Sequence, residues 1–303
     1  MIRPFRFAIQ AVELGDREAV ISAARQAEDL GYEELYSYDH LGTVDPFIPL
    51  VLAAEVTSQL RLGPLVLNNE FHHPALLART AATFDRMTGG RLVLGIGTGY
   101  AKSEHDATDI EIRSPHERVG RLEESLVALR SLLDSGTVEL KGRHHHLSIS
   151  DLGVRPTQDH VPLLVGGHGH RLIQVAGRVA DLFQFTGLTH SPDGTPEPTG
   201  FGLDDFVVRT RLLSDAANGR PIERSILVQS VVISDRADAA IEQTSGRLGL
   251  PRETVESTPF LIFGSVAQSV ERLQWLREEF EISHVVVREA VDFAPVVAAL
   301  SGR

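Results

Sequence analysis

The chain contains no cysteine among its 303 residues. Disulfide bonds, thiolate nucleophiles and cysteine-bound zinc are therefore excluded, and a chain of this composition is expected to be cytoplasmic. No apolar run is long enough to span a bilayer, so a membrane partner is not expected. Residues 1–5 lack an apolar stretch followed by a small-residue cleavage site, which predicts no signal peptide.

Positive charge is also scarce, with 29 lysine and arginine residues against 41 aspartate and glutamate residues and a net charge of -12. A uniformly acidic surface repels polyanions, so the sequence predicts no nucleic-acid partner and leaves a small-molecule substrate. Backbone N–H groups and a few local cations would have to hold any anionic ligand against this field.

Short apolar runs alternate with amphipathic stretches along most of the chain. The apolar runs predict eight strands, at residues 5–10, 35–38, 61–67, 92–96, 162–165, 182–185, 226–233 and 284–287. The amphipathic stretches predict helices at 16–30, 46–58, 74–87, 115–133, 171–179, 204–217, 237–248, 266–279 and 293–300. Other features are a polar loop before 115–133, a hairpin at 138–140 and 146–149, a mobile loop at 190–202 and an irregular link before 266–279.

Repeated strand–helix units predict a parallel sheet, because each crossover returns the chain to the same end. Eight units predict an α/β fold of the (β/α)8 TIM-barrel type with insertions. No linker or compositional break divides the chain, so one domain over residues 1–303 is expected. The alternative is an open doubly wound sheet, which usually has a glycine-rich turn after its first strand. Residues 10–14 lack that turn, and this favours the barrel.

The residues that follow the strands are the candidates for function, because barrel sites collect at the carboxyl ends of strands. After the second strand, Asp39 and His40 could act as acid and base or hydrogen-bond a heterocycle. The alternative is that Asp39 caps a turn and His40 is merely packed. After the fourth strand, Gly97 and Gly99 allow a ligand to approach the backbone, unless they only form a tight corner.

The fifth strand is followed by Gly166, Gly167, His168 and Gly169 at the start of a helix. A glycine-rich turn into a helix directs several N–H groups and the positive end of the helix dipole at one place, which predicts a phosphate site. A plain tight turn is the alternative. Thr186 follows the neighbouring sixth strand, where it could join the same site or form an ordinary turn.

Histidine clusters raise the question of a metal, which would need converging ligands with supporting contacts. No cluster has the helical spacing of a HExxH site. We therefore predict no metal site, although a metal-dependent hydrolase remains an alternative.

Six segments carry a resemblance to a known family: SYDH at 37–40, RLGPLVL at 61–67, PALLA at 74–78, GGRLVLGIGTG at 89–99, PLLVGGHG at 162–169 and AGRVAD at 176–181. In this order and spacing they resemble the bacterial luciferase-like monooxygenase superfamily, and especially its branch that uses coenzyme F420. The similarity covers almost the whole chain. It implies a barrel with insertions, a flavin or deazaflavin bound at the barrel face and a homodimer.

The resemblance also implies roles for individual residues. His40 would lie against the deazaflavin ring beside Asp39. Leu65 and Val66 would form a bulge, commonly with a non-prolyl cis peptide, behind the ring. The remaining implied contacts are Asn68, Gly97, Thr98 and Gly99 around the ring and ribityl chain, and Val165, Gly166, Gly167, His168 and Thr186 at the phosphate.

One position departs from the family. Some F420 dehydrogenases have a proton-donating glutamate just after the glycines of the fourth strand, whereas this chain has Tyr100, with Glu104 further along. We expect an F420-dependent oxidoreductase that transfers a hydride to or from a small organic substrate, with His40 or Tyr100 as catalytic residue. The direct alternative is an FMN-dependent monooxygenase that uses reduced flavin and oxygen. A cofactor-free binding barrel is an alternative from another class.

Overall fold

The computed structural model describes residues 3–191 and 195–303. Its strands are β1 (Arg6–Gln10), β2 (Glu34–Ser37), β3 (Arg61–Pro64), β4 (Leu67–Asn68), β5 (Leu94–Gly97), β6 (Val138–Lys141), β7 (His146–Ile149), β8 (Leu163–Gly167), β9 (Leu182–Phe185), β10 (Thr189–His190), β11 (Pro196–Glu197), β12 (Glu223–Leu227), β13 (Ser230–Ile233), β14 (Leu261–Gly264) and β15 (Ile282–Val287). Its helices are α1 (Arg17–Asp29), α2 (Ile48–Glu55), α3 (Pro74–Met87), α4 (Lys102–Thr108), α5 (Pro115–Ser135), α6 (His170–Val179), α7 (Leu203–Ala217), α8 (Asp238–Leu248), α9 (Arg252–Ser257), α10 (Val266–Phe280) and α11 (Ala290–Leu300).

The central sheet is parallel throughout, in the order β3-β2-β1-β15-β12-β9-β8-β5-β4. β3 and β4 are two parts of one strand, separated by Leu65 and Val66, whose peptide bond is cis. Leu62 in β3 pairs with Leu92 just before β5, which closes the sheet on itself. The result is an eight-stranded barrel with one interrupted strand, which confirms the predicted fold class.

Alternation along the strands separates two apolar layers, because successive strand residues face opposite sides of the sheet. Phe7 and Ile9 of β1 belong to the large outer cluster that packs against the helices, whereas Ala8 lies in a small cluster inside the barrel. Polar side chains also alternate inward. They include Gln10, Glu34, Gln184, Ser225 and His284, each at most 6% exposed.

Local sequence explains where several helices begin. α5 starts at a capping box, in which Ser114 accepts the Glu117 N–H and the Glu117 side chain accepts the Ser114 N–H. α10 has the same arrangement at Ser265 and Gln268. These caps fix the helices that enclose the barrel.

Three expectations for secondary structure were wrong. The predicted strand at 226–233 divides: β12 ends in the barrel at Leu227, and β13 pairs with β14 in a separate parallel ladder. β14 and α9 lie in the expected irregular link, and α4 lies in the expected polar loop. A continuous apolar run does not show where a strand leaves the barrel, and short polar helices lack an apolar period.

The other expectations had mixed outcomes. The hairpin is confirmed, since β6 and β7 pair antiparallel. Within the loop at 190–202, β10 and β11 form a short antiparallel ladder. Residues 192–194 lie outside the described residues, so the mobility of this loop stays a prediction. In the described part of the chain, no helix is long and apolar enough to cross a membrane.

Barrel closure requires a residue without a side chain at Gly63, because a Cβ there would lie 1.8 Å from the Val93 carbonyl oxygen. We expect Gly63→Ala to lower the free energy of unfolding by roughly 3 kcal/mol or more. The new Cβ would overlap the Val93 backbone, which cannot move away without separating the Leu62–Leu92 pair that closes the barrel. Urea unfolding measures the loss. Gly15→Ala is the control, because no atom would lie within 4 Å of a Cβ placed there. Equal stability of the two variants would contradict this account of closure.

Candidate active site

A cleft of about 660 Å³ opens at the carboxyl ends of the barrel strands. It is lined by His40, Tyr100, Asp39, Leu65, Val66, Asn68, Gly97, Thr98, Gly99, Gly166, Gly167, His168 and Thr186, which were predicted as site residues from the sequence. The barrel therefore brings together residues from several separate strand ends.

Val165 is the predicted site residue that does not line the cleft. It is fully buried, pairs with Ile96 and Phe183 and belongs to the outer apolar layer. The reason is alternation within β8, which turns Leu164 inward, Val165 outward and Gly166 inward again. The Val165 side chain therefore supports the site from behind.

His40 lies between two oxygen atoms. Its Nδ1 is 2.6 Å from Glu104 Oε1, and its Nε2 is 3.1 Å from the Tyr100 hydroxyl. When His40 Nδ1–H donates to the Glu104 carboxylate, Nε2 can accept a hydrogen bond from the Tyr100 hydroxyl. Tyr100, His40 and Glu104 thus form a hydrogen-bonded chain, and all three line the cleft.

The role of Glu104 was missed because α4 was missed. α4 places Glu104, four residues after Tyr100, within hydrogen-bond distance of His40. A carboxylate therefore lies beside His40 even though Tyr100 occupies the position directly after the glycines. Tyr100 precedes α4, so helical spacing does not relate it to Glu104, and only the fold brings Glu104 to His40.

Tyr100 keeps its proton at neutral pH. Burial and the nearby Glu104 carboxylate raise the pKa of its hydroxyl above the usual value, and Arg288 opposes that shift. The ring stacks on His190 with centroids 3.6 Å apart. Burial, followed by the neighbouring His40, lowers the pKa of His190, so this ring is neutral at neutral pH.

Asp39 holds the interrupted strand. Its Oδ2 accepts the Asn68 backbone N–H at 2.9 Å and lies 3.0 Å from His72 Nε2. The Asn68 side chain continues the contact to His105 Nε2 at 3.3 Å. Asp39 therefore positions β4 rather than pointing a free carboxylate into the cleft.

Val66 forms an apolar wall of the cleft between two glycines. A Cβ at Gly97 would lie 2.8 Å from one Val66 methyl group, and a Cβ at Gly166 would lie 3.3 Å from the other. The preceding Leu65 carbonyl accepts the Gln10 side-chain N–H at 2.8 Å. The Val66 side chain is therefore closely packed between the two glycines, and the carbonyl that precedes it is held by Gln10.

The turn between β8 and α6 has the features of an anion site. Gly169 is the N-cap residue of α6, and no side chain caps that N-terminus. Gly167 has φ +153, a conformation that favours glycine. His168 Nε2 lies 3.3 Å from Asp205, and burial followed by Arg209 lowers the His168 pKa, so the ring is neutral at neutral pH. Backbone N–H groups and the helix dipole are the main attraction for an anion here.

Thr186 follows β9, the strand that pairs with β8, and so lies next to this turn. Its hydroxyl accepts a hydrogen bond from the Leu188 N–H at 3.3 Å, and its carbonyl accepts one from Arg209 at 2.8 Å. Arg209 also donates to the Gly200 carbonyl at 2.7 Å, which fixes the loop beyond β9.

Several polar side chains of the cleft were not predicted. Arg288 directly follows β15 and donates to Gln10 at 2.9 Å and to Gln229 at 3.1 Å. Arg118 enters from α5, and Gln184 enters from β9. Strand-end position was the available signal for Arg288 and Gln10. Within residues 3–191 and 195–303, no group of three or more metal-binding side chains converges.

The model of the luciferase-like monooxygenase family matches residues 4–284 of the chain. The chain belongs to this family. Two relatives of this luciferase-like protein are F420-dependent glucose-6-phosphate dehydrogenases. The one from Amycolatopsis mediterranei is 33% identical over 184 residues, 57% of this chain and 54% of its own. The one from Kineococcus radiotolerans is 32% identical over 296 residues, 92% of this chain and 81% of its own. The match thus spans about half the length of the first relative.

Solved structures share the luciferase-like fold. The coenzyme F420-dependent tetrahydromethanopterin reductase of Methanopyrus kandleri has a TM-score of 0.76 at 20% identity, with 98% of both chains covered. The oxygenating constituent of 3,6-diketocamphane monooxygenase from Pseudomonas putida, in complex with FMN, has a TM-score of 0.71 at 15% identity, with 100% of this chain and 98% of that chain covered.

The anion turn yields a direct test. We expect Gly167→Ala to weaken binding of inorganic phosphate about tenfold, because alanine disfavours the Gly167 backbone conformation and its Cβ would lie 2.3 Å from Leu172. Phosphorus NMR titration measures the binding. Gly169→Ala is the control, since its φ is -67 and no atom lies within 4 Å of the added Cβ. Phosphate affinity unchanged in Gly167→Ala, with the fold intact, would remove the anion site.

Proposed function

We propose that this luciferase-like protein is a coenzyme F420-dependent oxidoreductase that transfers a hydride between the deazaflavin and a small organic substrate. The observation that carries the proposal is His40, held by Glu104 and Tyr100 in the same cleft as the uncapped turn at Gly166–Gly169. The two F420-dependent relatives support the choice of cofactor.

The cleft fits the proposed cofactor. The Val66 wall between Gly97 and Gly166 is apolar and has no side chain on either neighbouring residue, as the approach of a tricyclic ring requires. Leu65, Asn68, Thr98 and Gly99 surround this wall and would contact the ring and ribityl chain. Gly166, Gly167, His168 and Thr186 would hold the phosphate. When bound, the deazaflavin supplies or accepts the hydride.

The chain's own residues would manage the accompanying proton. Removal of a hydride from an alcohol carbon leaves a proton on oxygen, which His40 Nε2 can accept once the substrate takes the place of the Tyr100 hydroxyl. In the reverse direction, protonated His40 would return this proton to the carbonyl oxygen, and Tyr100, whose raised pKa keeps it protonated, can donate a hydrogen bond to the same oxygen. Glu104 holds His40 in the required tautomer. His40 and Tyr100 are therefore the proposed catalytic residues, and Glu104 is a positioning residue.

The second candidate is an FMN-dependent monooxygenase that uses reduced flavin and oxygen. FMN has the same tricyclic outline and the same first phosphate, and a protein of similar fold is known in complex with FMN. The wall and the anion turn suit both groups.

Direct titration decides between the cofactors. We expect purified protein to bind coenzyme F420 at least tenfold more tightly than FMN, as measured by quenching of cofactor fluorescence. We also expect reduced F420 to be consumed when a reducible substrate is present, with His40→Ala inactive at unchanged F420 affinity. Tighter binding of FMN would overturn the choice of F420, and no binding of either group would reject the flavin site altogether.

We also propose that residues 1–303 act as one domain in the cytoplasm, without a nucleic-acid partner. The first barrel strand pairs with the last, and Phe5 pairs with Ser301, so both chain ends belong to one barrel. The net charge of -12 opposes binding to polyanions.

We propose a homodimer formed through α2. This helix has the sequence IPLVLAAE, without a charge before Glu55. Ile48 and Val51 are exposed on it, next to exposed Leu41 and Val44. Such an apolar surface is suited to burial against the same surface of a second copy.

Charge placed on this surface tests the dimer. We expect Ile48→Glu to shift the protein from dimer to monomer, because each new carboxylate would be desolvated at the interface. Sedimentation velocity reports the change. Val127→Glu, at an exposed apolar position on α5, is the control and should remain dimeric. A wild-type monomer would contradict the proposal.

A further inference from the structure

A row of inward-facing polar side chains leads from the cleft into the barrel core. Gln184 of β9 pairs in register with Ser225 of β12, Ser225 pairs with His284 of β15, and His284 pairs with Arg6 of β1. Ser225 and His284 are fully buried, and Gln184 is buried but lines the cleft. None of the deeper members takes part in the hydrogen-bonded chain at His40.

The row is charged and fixed at its deep end. Glu34 is fully buried, lies 3.1 Å from Arg6 and accepts the Tyr36 hydroxyl proton. The Glu34 carboxylate lies within ion-pair distance of both Arg6 and His284 Nε2, and Arg6 already balances its charge.

This acceptor sets the polarity of the row. His284 Nε2 lies 3.0 Å from Glu34 Oε2, and this carboxylate favours a proton on that ring nitrogen. In that tautomer the other nitrogen, Nδ1, accepts a hydrogen bond from the Ser225 hydroxyl 2.8 Å away. The Ser225 oxygen in turn accepts an N–H of Gln184 Nε2 at 3.4 Å.

Gln184 consequently has its amide nitrogen engaged by the protein, and its carbonyl oxygen is left for the cleft. That oxygen would lie 3.9 Å from a Cβ placed on Gly166, the register neighbour of Gln184 in the cleft wall. Gln184 therefore presents an acceptor to the cleft. If its amide were reversed, the Gln184 oxygen would face the Ser225 oxygen with no proton between them, because the Ser225 hydroxyl donates to His284.

We propose that the Glu34–His284–Ser225 row orients Gln184 so that its Oε1 accepts a hydrogen bond from the imide N3–H of the bound cofactor ring. The ring of an oxidised deazaflavin or flavin has one N–H, at N3, so N3–H is the one nitrogen donor that the ring offers to an oriented acceptor in this cleft. Gln184 is thus a binding residue, and Ser225 is a positioning residue. The inference rests on the proposed function, because it requires a deazaflavin or flavin in the cleft.

The test compares cofactors with and without the N3 proton. Coenzyme F420, FMN and the N3-methyl derivative of each are titrated against the wild-type protein and the variants Gln184→Leu, Ser225→Ala and Ser283→Ala. We expect the wild type to bind each natural cofactor about tenfold more tightly than its N3-methyl derivative, the scale of one hydrogen bond. Gln184→Leu should lose this discrimination, and Ser225→Ala should lose most of it.

Ser283→Ala is the matched control, because Ser283 is a buried serine whose hydroxyl donates to Glu223 at 3.2 Å and not toward Gln184. Ser283→Ala should prefer the natural cofactor over its N3-methyl derivative as strongly as the wild type does. A loss seen only in Ser225→Ala would then be due to the orientation of Gln184 and not to the removal of a buried hydroxyl as such. Equal wild-type affinity for natural and methylated cofactors would overturn the inference while leaving the proposed function intact. Equal discrimination by Ser225→Ala and Ser283→Ala would also overturn it. Failure of the wild type to bind either natural cofactor would instead reject the proposed function.

Discussion

The interruption of the third barrel strand is the constraint on which the site depends. Leu65 and Val66 interrupt the strand between β3 and β4, and Val66 lines the cleft instead of continuing the hydrogen-bonded pairing of the strand. Ser37 accepts the Leu65 N–H through its carbonyl, and Asp39 accepts the N–H of Asn68. The interrupted segment is therefore held on both sides by Ser37 and Asp39, at and just after the end of β2, and this fixes Val66 relative to His40.

Several polar side chains that line the cleft are also held by a neighbouring polar side chain. Glu104 holds His40, Asp205 lies beside His168, and Gln10 and Gln229 hold Arg288. Side chains held in this way lose little further freedom when a ligand binds, so the arrangement is prepared before the substrate arrives.

Electrostatics divides the cleft into regions with different tasks. The acidic chain offers little general attraction to anions, so the N-terminus of α6 supplies attraction locally. Elsewhere in the cleft, burial raises the pKa of Tyr100 and lowers that of His190, so both are neutral at neutral pH. The site therefore combines an anion turn with neutral proton donors and acceptors, which suits hydride transfer coupled to movement of a proton.

The sequence by itself determined the barrel, the strand ends and most of the cleft residues, because alternation of strands and helices and glycine-rich turns are local patterns. His40, Tyr100 and the turn at Gly166–Gly169 were accessible in this way. Tertiary structure alone decided that Glu104 reaches His40, that Val165 faces outward and that Gln184 meets Ser225 and His284. These contacts join residues from separate elements, and their partners follow from strand register and barrel closure, which no local pattern specifies.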